Sequence, residues 1–454
     1  MVVCSTMVQN MAYRTLLMGM YAGYKTALLN WGAFLLVIIA FTVCFLSIMK
    51  AYISLFWESE NIHKIETLKG EDMGNYQIIA TAAMGLEALV AKEVRSLGYD
   101  CEVENGKVTY TGDETAIARS NLWLRTADRI KIKVGEFKAF TFDELFEKTK
   151  ALPWEKFLPE DAEFPVIGKS VKSKLFSVSD CQAIVKKAVV ERLKKHYKRS
   201  TWFEENGSLY RIEVALLKDI ATITIDTSGQ GLHKRGYRID QGEAPLKETL
   251  AAALVMLTNW KADRPFIDPF CGSGTIPIEA AMIGQNIAPG FNREFVSEGW
   301  NWISPKVWDE ARNEAEDLAN YDQPLDITGS DIDHRMVKIA QENAFEAGFG
   351  DLIHFKQMQV RDISTSKESG VIVGNPPYGE RLGDKKAVEQ MYKEMGQAFS
   401  RLDTWSIYIM TSNEEFEQFY GKPATKKRKL FNGFIRTDLY QYWGKRPPRE
   451  VDQK

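Results

Sequence analysis

The chain has 454 residues, room for two or three domains, with the 45% apolar and 26% charged content of an ordinary globular protein. A net charge of −3 gives no whole-protein sign of nucleic-acid binding. Five scattered cysteines with no Cys-x-x-Cys pair fit a reduced cytosol and no metal, and no histidine pairs with a motif Ser or Cys, so a hydrolase triad has no support.

In chain order, the first feature is residues 31–49, from Trp31 to Met49, without a charge and bracketed by Lys25 and Lys50. About 20 apolar residues can span a bilayer, so hydropathy alone reads a transmembrane helix. The positive charges on either side are nearly even and leave its orientation open. Just before Met73 stands Leu68-Lys69-Gly70-Glu71-Asp72. Lys-Gly-Glu is what a ribosome-binding site would encode if translated. The expectation is therefore a start assigned too far upstream, with the protein beginning at Met73 and cytoplasmic. The alternative is a membrane anchor with the catalytic part facing the cytosol.

Residues 73–230 read as a mixed α+β part. Strands are expected over 76–81, 108–110, 130–134, 209–216 and 220–226, with Lys218-Asp219 as a turn. Helices are expected over 86–97, 143–149 and 181–197. From Pro165 to Ile239 there are 15 Lys/Arg against 7 Asp/Glu. The densest cluster is Lys186, Lys187, Arg192, Lys194, Lys195, Lys198 and Arg199, on a helix whose apolar positions are Ile184, Val185, Ala188, Val189 and Leu193. A basic helix face is most often solvated surface. A second cluster, Lys426-Lys427-Arg428-Lys429, reads either as an exposed loop or as another backbone contact.

Ser228-Gly229-Gln230-Gly231 marks a boundary, and residues 231–454 alternate strands and helices as a doubly wound sheet does. A helix is expected over 246–260, with Pro245 in its first turn. A short strand at Phe266-Ile267-Asp268 then runs into Pro269-Phe270-Cys271-Gly272-Ser273-Gly274-Thr275 and a helix over 276–283. Glycine lets a backbone approach a ligand, and a helix start offers free N–H groups. A single Gly-x-Gly is weak alone, and no Gly-Lys-Ser/Thr follows to make a P-loop. Cys271 reads as a small side chain packed under this loop. Residues 289–324 interrupt the sequence of strands and carry Trp300, Trp302 and Trp308, read as packing. The segment from Ile327 ends at Asp331, where an acid suits ribose hydroxyls. Residues 336–347 read as a helix and 353–360 as a strand leading to a third acid, Asp362. Val371-Ile372-Val373 reads as a buried strand that ends in Asn375-Pro376-Pro377-Tyr378. An amide oxygen and the carbonyls of a Pro-Pro turn can accept the two N–H bonds of a planar amine. An aromatic ring can stack on the base that carries it.

These motifs, in this order, resemble the class I S-adenosylmethionine-dependent methyltransferases that act on amines. Gly231-Leu232-His233-Lys234-Arg235-Gly236-Tyr237-Arg238 and Asn375-Pro376-Pro377-Tyr378-Gly379-Glu380-Arg381-Leu382 narrow this to a resemblance to the THUMP-domain RNA guanine-N2 methyltransferases of the bacterial large subunit. The resemblance runs from about Met73 to the C-terminus. It implies a Rossmann-like catalytic domain preceded by a ferredoxin-like and THUMP module that binds RNA. It also implies S-adenosylmethionine as cofactor and 23S ribosomal RNA as partner, with no protein partner evident. By resemblance, Asp268, Cys271, Gly272 and Gly274 form the cofactor cradle, Asp331 holds the ribose and Asp362 the adenine amine. Asn375 and Pro376 accept the target amine, Asn375 also borders the cofactor, and Tyr378 stacks on the base. Lys186, Lys187, Lys194, Lys195, Lys198 and Arg199 become RNA backbone contacts. The chain ends soon after the Asn-Pro-Pro-Tyr loop, so a second, fused methyltransferase is not expected. Alternatives from the same loop are adenine-N6 methylation of DNA or RNA and glutamine methylation of release factors. A catalytically silent RNA-binding protein is the alternative outside the enzymes.

Overall fold

The computed structural model describes residues 74–239, 246–379 and 385–445. The apolar stretch 31–49 lies outside them. Among the described residues no helix is long and apolar enough to cross a membrane.

The first half forms one seven-stranded sheet. Its elements are β1 (Tyr76–Ala82), α1 (Glu87–Ser96), β2 (Cys101–Glu104), β3 (Lys107–Gly112), α2 (Glu114–Trp123), β4 (Ala127–Lys138), α3 (Phe142–Lys150), β5 (Val166–Val171), α4 (Val178–Tyr197), β6 (Ile212–Leu217) and β7 (Ile220–Asp226). The order across the sheet is β2-β3-β1-β4-β7-β6-β5. The twelve-residue β4 makes this continuity. Residues 127–132 of it pair with β1 and residues 131–138 with β7, both antiparallel. Lys218 and Asp219 have φ of 52° and 64°, and they form the two-residue turn between β6 and β7. Positive φ at both positions suits the right-handed twist of a hairpin.

The second half is built from α5 (Glu248–Met256), β8 (Phe266–Asp268), α6 (Thr275–Gly284), α7 (Pro305–Leu318), β9 (Ile327–Asp331), α8 (His334–Glu346), β10 (Ile353–Gln357), β11 (Val371–Gly374), α9 (Lys385–Phe399), β12 (Ser406–Thr411), α10 (Phe416–Tyr420), β13 (Lys426–Asn432) and β14 (Ile435–Tyr442). The strand order is β10-β9-β8-β11-β12-β14-β13, parallel except that β14 runs antiparallel to both β12 and β13. Val371, Ile372 and Val373 are completely buried, as a strand covered on both faces requires. Chain direction across the sheet reverses between β8 and β11, and ligands bind outside the carboxyl ends at such a switch point.

Three expectations change. The helix expected over 246–260 is Glu248–Met256, because Thr258, Trp260 and Arg264 bond into a turn after it. The strand expected over 353–360 stops at Gln357, and a 3-10 turn, Val360–Asp362, follows. The basic run 426–429 is not a loop. It opens β13, the edge strand of the second sheet, where lysines keep an unpaired edge soluble.

The interruption over 289–324 joins the two halves. Trp300 stacks on Tyr210 with ring centres 4.6 Å apart, and its indole N–H donates to the Leu209 carbonyl at 3.0 Å. The Trp302 indole donates to Phe157, and Trp308 stacks on Phe295. Arg119 grips Glu314 of α7 through two bonds of 2.7 and 2.8 Å. The reading of the tryptophans as packing holds, and the surface they pack on is the core of the other half.

The Gly231–Arg238 motif is also structural. Arg235 and Glu279 form an ion pair that is almost wholly buried. Arg235 also donates to the carbonyls of Leu232 and Arg125. Beside it, burial raises the Glu93 carboxyl, which accepts from the backbone N–H groups of Arg125 and Thr126 and from the Thr126 hydroxyl.

Candidate active site

A cleft of about 780 Å³ opens at the carboxyl ends of β8, β9 and β11, within the size range of small-molecule sites. Asp268, Cys271, Gly272, Asp331 and Asn375, which are far apart in sequence, all line it. Apolar walls come from Ile332, Met336, Met358 and Val360, and from Val388 and Met391 of α9.

The turn from β8 into α6 sets the floor. Gly274 caps α6 with φ of 85°, and a Cβ there would stand 3.1 Å from Ala340 of α8. Both facts demand glycine. The Gly272 N–H donates to Asp331 Oδ2 at 3.1 Å, and Asp331 Oδ1 accepts from the Asp333 N–H at 2.9 Å. Arg238 braces the turn from below, reaching Thr275 Oγ1 at 3.0 Å, Ser273 Oγ at 3.4 Å and Glu248 at 2.9 Å. Asn343 of α8 donates to the Ser273 carbonyl.

Asp268 is completely buried. Its Oδ1 accepts from the Phe270 N–H at 3.0 Å, whereas Oδ2 has no hydrogen-bond partner among the described residues. Burial raises its carboxyl well above the usual range, and the neighbouring Asp331 charge adds to this. Burial also raises Asp331. Two destabilised carboxyls at one end of an apolar cleft favour a cationic ligand. Burial raises the Cys271 thiol well above its ordinary value as well, which keeps it neutral and unfit as a nucleophile.

At the end of β11, Asn375 faces the cleft and Pro376 is buried behind it. The Tyr378 hydroxyl donates to Asn375 Oδ1 at 2.7 Å, and Asn432 Nδ2, at the end of β13, donates to that hydroxyl at 3.4 Å.

Two parts of the expected constellation are not brought here. Asp362 is exposed at the end of its 3-10 turn and does not line the cleft, although Gln359, Val360 and Arg361 do. The basic residues lie on α4 and just after its end, where Lys198 caps the helix and Arg199 follows, and none lines the cleft. Lys187, Lys195 and Lys198 are exposed and Lys194 is half-buried. Lys186 is tied to Glu205 at 2.6 Å and Arg199 to Glu160 at 3.0 Å, so these two are engaged within the fold.

The sequence reading missed α9, although Val388, Met391, Tyr392, Met395, Ala398 and Phe399 recur at helical spacing. It also missed Arg238, quoted within a motif but given no task. Asn432 carried no local signal.

The fold and the site together define a class I methyltransferase with an α+β module in front. The match to known domains agrees. An RlmL ferredoxin-like domain matches residues 77–131, a THUMP domain residues 139–226, and the RMKL-like methyltransferase domain residues 235–441. A protein from Bacillus subtilis (strain 168) described as "Putative RNA methyltransferase YpsC" is 71% identical over 380 residues, 83% of this chain and 99% of that one. A crystal structure from Listeria monocytogenes str. 4b F2365, described as a "predicted N6-adenine-specific DNA methylase", is 66% identical with a TM-score of 0.80, covering 83% of this chain and 98% of its own. SMU.472, described as "a putative methyltransferase complexed with SAH", is 54% identical with a TM-score of 0.80, covering 82% of this chain and 99% of its own. The chain belongs to the THUMP-containing, RMKL-like family of S-adenosylmethionine-dependent RNA methyltransferases.

Proposed function

We propose that the protein transfers a methyl group from S-adenosylmethionine to the exocyclic N2 amine of a guanine in 23S ribosomal RNA. The observation that carries this is the cleft itself. It joins two acids at the cofactor end to Asn375 at the amine end.

The residues present fit the cofactor. Asp268, whose Oδ2 has no partner, would face its positive charge, and Asp331 would hold its ribose hydroxyls. The free N–H groups at the start of α6 suit its carboxylate. The apolar walls and residues 359–361 would border the adenine, a task the resemblance gave to Asp362. The cofactor supplies an electrophilic methyl group on a sulfonium.

The chain's own residues prepare the other partner. An exocyclic amine is a weak nucleophile because its lone pair is delocalised into the ring. The Asn375 amide oxygen and the Pro376 carbonyl would accept its two N–H bonds, turning the lone pair toward the methyl group. Tyr378 and Asn432 hold the Asn375 oxygen in place, since Tyr378 uses one of its two lone pairs and leaves the other for the substrate. The Tyr378 ring would lie against the base. The gain is orientation and charge placement, without a strong general base. A paired guanine must first leave its stack, at a cost of about a few kcal/mol. Exposed Lys187, Lys195 and Lys198 and half-buried Lys194 would contribute phosphate contacts.

Adenine-N6 methylation is the second reading, favoured by the description of the Listeria structure. It would use the same amide in the same way. The THUMP module in front of the catalytic domain favours RNA. Mapping methylation lost from rRNA in a deletion strain tests both readings. One missing N2-methylguanine in 23S rRNA is expected. Intact rRNA with methyladenine lost from DNA would overturn the proposal.

A further inference from the structure

The β13–β14 hairpin ends beside the Asn-Pro-Pro-Tyr loop and carries a fully exposed aromatic at its tip, Phe434. Single exposed apolar side chains are ordinary, so exposure alone means little. Position is what matters. Asn432 and Ile435 are the last pair of the ladder, which leaves Gly433 and Phe434 as a two-residue turn. Gly433 has φ of 62°, which suits a tight turn with glycine first. Such a turn presents the next side chain on a short, stiff tip.

That tip is tethered to the amine-binding end of the cleft. Asn432 Nδ2 donates to the Tyr378 hydroxyl, which donates to Asn375 Oδ1. Phe434 follows Asn432 by two residues, a chain reach of at most about 7 Å. The base of the hairpin is clamped from the other side. Arg428 donates to the Gly85 carbonyl at 2.8 Å, and Leu430 is buried in the core that includes Leu86. Ile435 and Arg436 are exposed at the tip, Arg436 reaching Asp438 at 3.7 Å and Glu414 at 4.0 Å, and Lys429 is exposed further down the hairpin. An exposed aromatic on a rigid support next to a catalytic loop is how proteins stack on single-stranded nucleic acid.

We propose that Phe434 stacks on an RNA base next to the target nucleotide and holds that strand in register while the target amine lies against Asn375. This rests on the reading of the Asn-Pro-Pro-Tyr loop as the amine-binding site. Stacking is tolerant of sequence, because every base offers a face. Phe434 therefore contributes position more than base choice.

The test compares wild type, Phe434→Ala and Phe434→Trp on rRNA from a strain lacking the enzyme, with methyl-labelled cofactor. Affinity for the same rRNA and for the cofactor is measured alongside. Phe434→Ala should lose about 5- to 150-fold in kcat/KM for RNA, mainly through KM. Phe434→Trp should stay close to wild type, and cofactor affinity should be unchanged in both. Unchanged kcat/KM in Phe434→Ala overturns the proposal. So does a Trp variant as impaired as the Ala variant, since a stacking role tolerates any large aromatic. Failure of the wild type to methylate any RNA would instead remove the functional reading. The binding measurement then still decides Phe434, because equal rRNA affinity of wild type and Phe434→Ala overturns the proposal and weaker affinity in Phe434→Ala alone supports it.

Discussion

The phenolic proton of Tyr378 goes to Oδ1 of Asn375, 2.7 Å away and three residues earlier in the same loop. A side chain expected to act through its ring is thus engaged through its hydroxyl within the loop. It orients the amide that the proposed reaction would use to receive an amine. Asn432 continues the chain from a strand at the sheet edge.

Tyr378→Phe keeps the ring and removes this bond. A net hydrogen bond of about 1 kcal/mol corresponds to a loss of about five-fold in kcat. Asn375→Ala removes the acceptor itself and should cost about a hundred-fold or more. Cofactor affinity should largely survive in both. Steady-state kinetics with calorimetric cofactor binding checks this, and a Tyr378→Phe enzyme as slow as Asn375→Ala would give the hydroxyl a larger role than orientation.

Asp268 makes a pH-dependent prediction. Its folded carboxyl lies well above the ordinary value of 3.8 because of burial. A carboxyl raised by folding stabilises the protein fully below its unfolded value. That contribution is lost as pH rises through the folded value. Without cofactor, Asp268→Asn should therefore melt higher than wild type at pH 8, and the gap should close toward pH 4. The same variant should bind cofactor more weakly, because a cation no longer meets a carboxylate. A pH series of melting curves decides it, with a pH-independent gap as the contrary result.

Glu279→Ala leaves Arg235 charged and buried without its partner. Breaking such a pair costs about 3–5 kcal/mol. Denaturant titration should show this as a lower midpoint. A change below about 1 kcal/mol would mean that the carbonyls of Leu232 and Arg125 suffice for the guanidinium.

Replacing Lys187, Lys194 and Lys198 by Glu should weaken RNA binding and flatten its salt dependence by about one unit of slope for each phosphate no longer neutralised. Lys187 and Lys194 lie seven residues apart on α4, and Lys198 caps its C-terminus. Lys186→Glu is the informative contrast. It breaks an ion pair with Glu205 and should lower stability more than RNA affinity. Binding isotherms at several salt concentrations separate the two effects, and equal affinity in the triple variant would return the stripe to solvated surface.

What the sequence determined by itself was local. The Gly-Ser-Gly turn, the acid ending β9 and the buried run before Asn375 each have a short-range signature, because glycine, strand-end acids and unbroken apolar runs answer to backbone geometry and burial. Their order along the chain carried the resemblance to a doubly wound methyltransferase, and periodicity showed the α+β part before it. The tertiary structure decided what depends on contacts between distant segments. It ended β10 early and left Asp362 outside the cleft. It turned three tryptophans of an interruption into the joint between the halves, and it tied Lys186 and Arg199 into ion pairs. It brought Asn432 to Tyr378 across 54 residues of sequence. None of these has a local pattern, because a hydrogen bond or an ion pair between distant positions is specified by packing, and periodicity reports only which face of an element is buried.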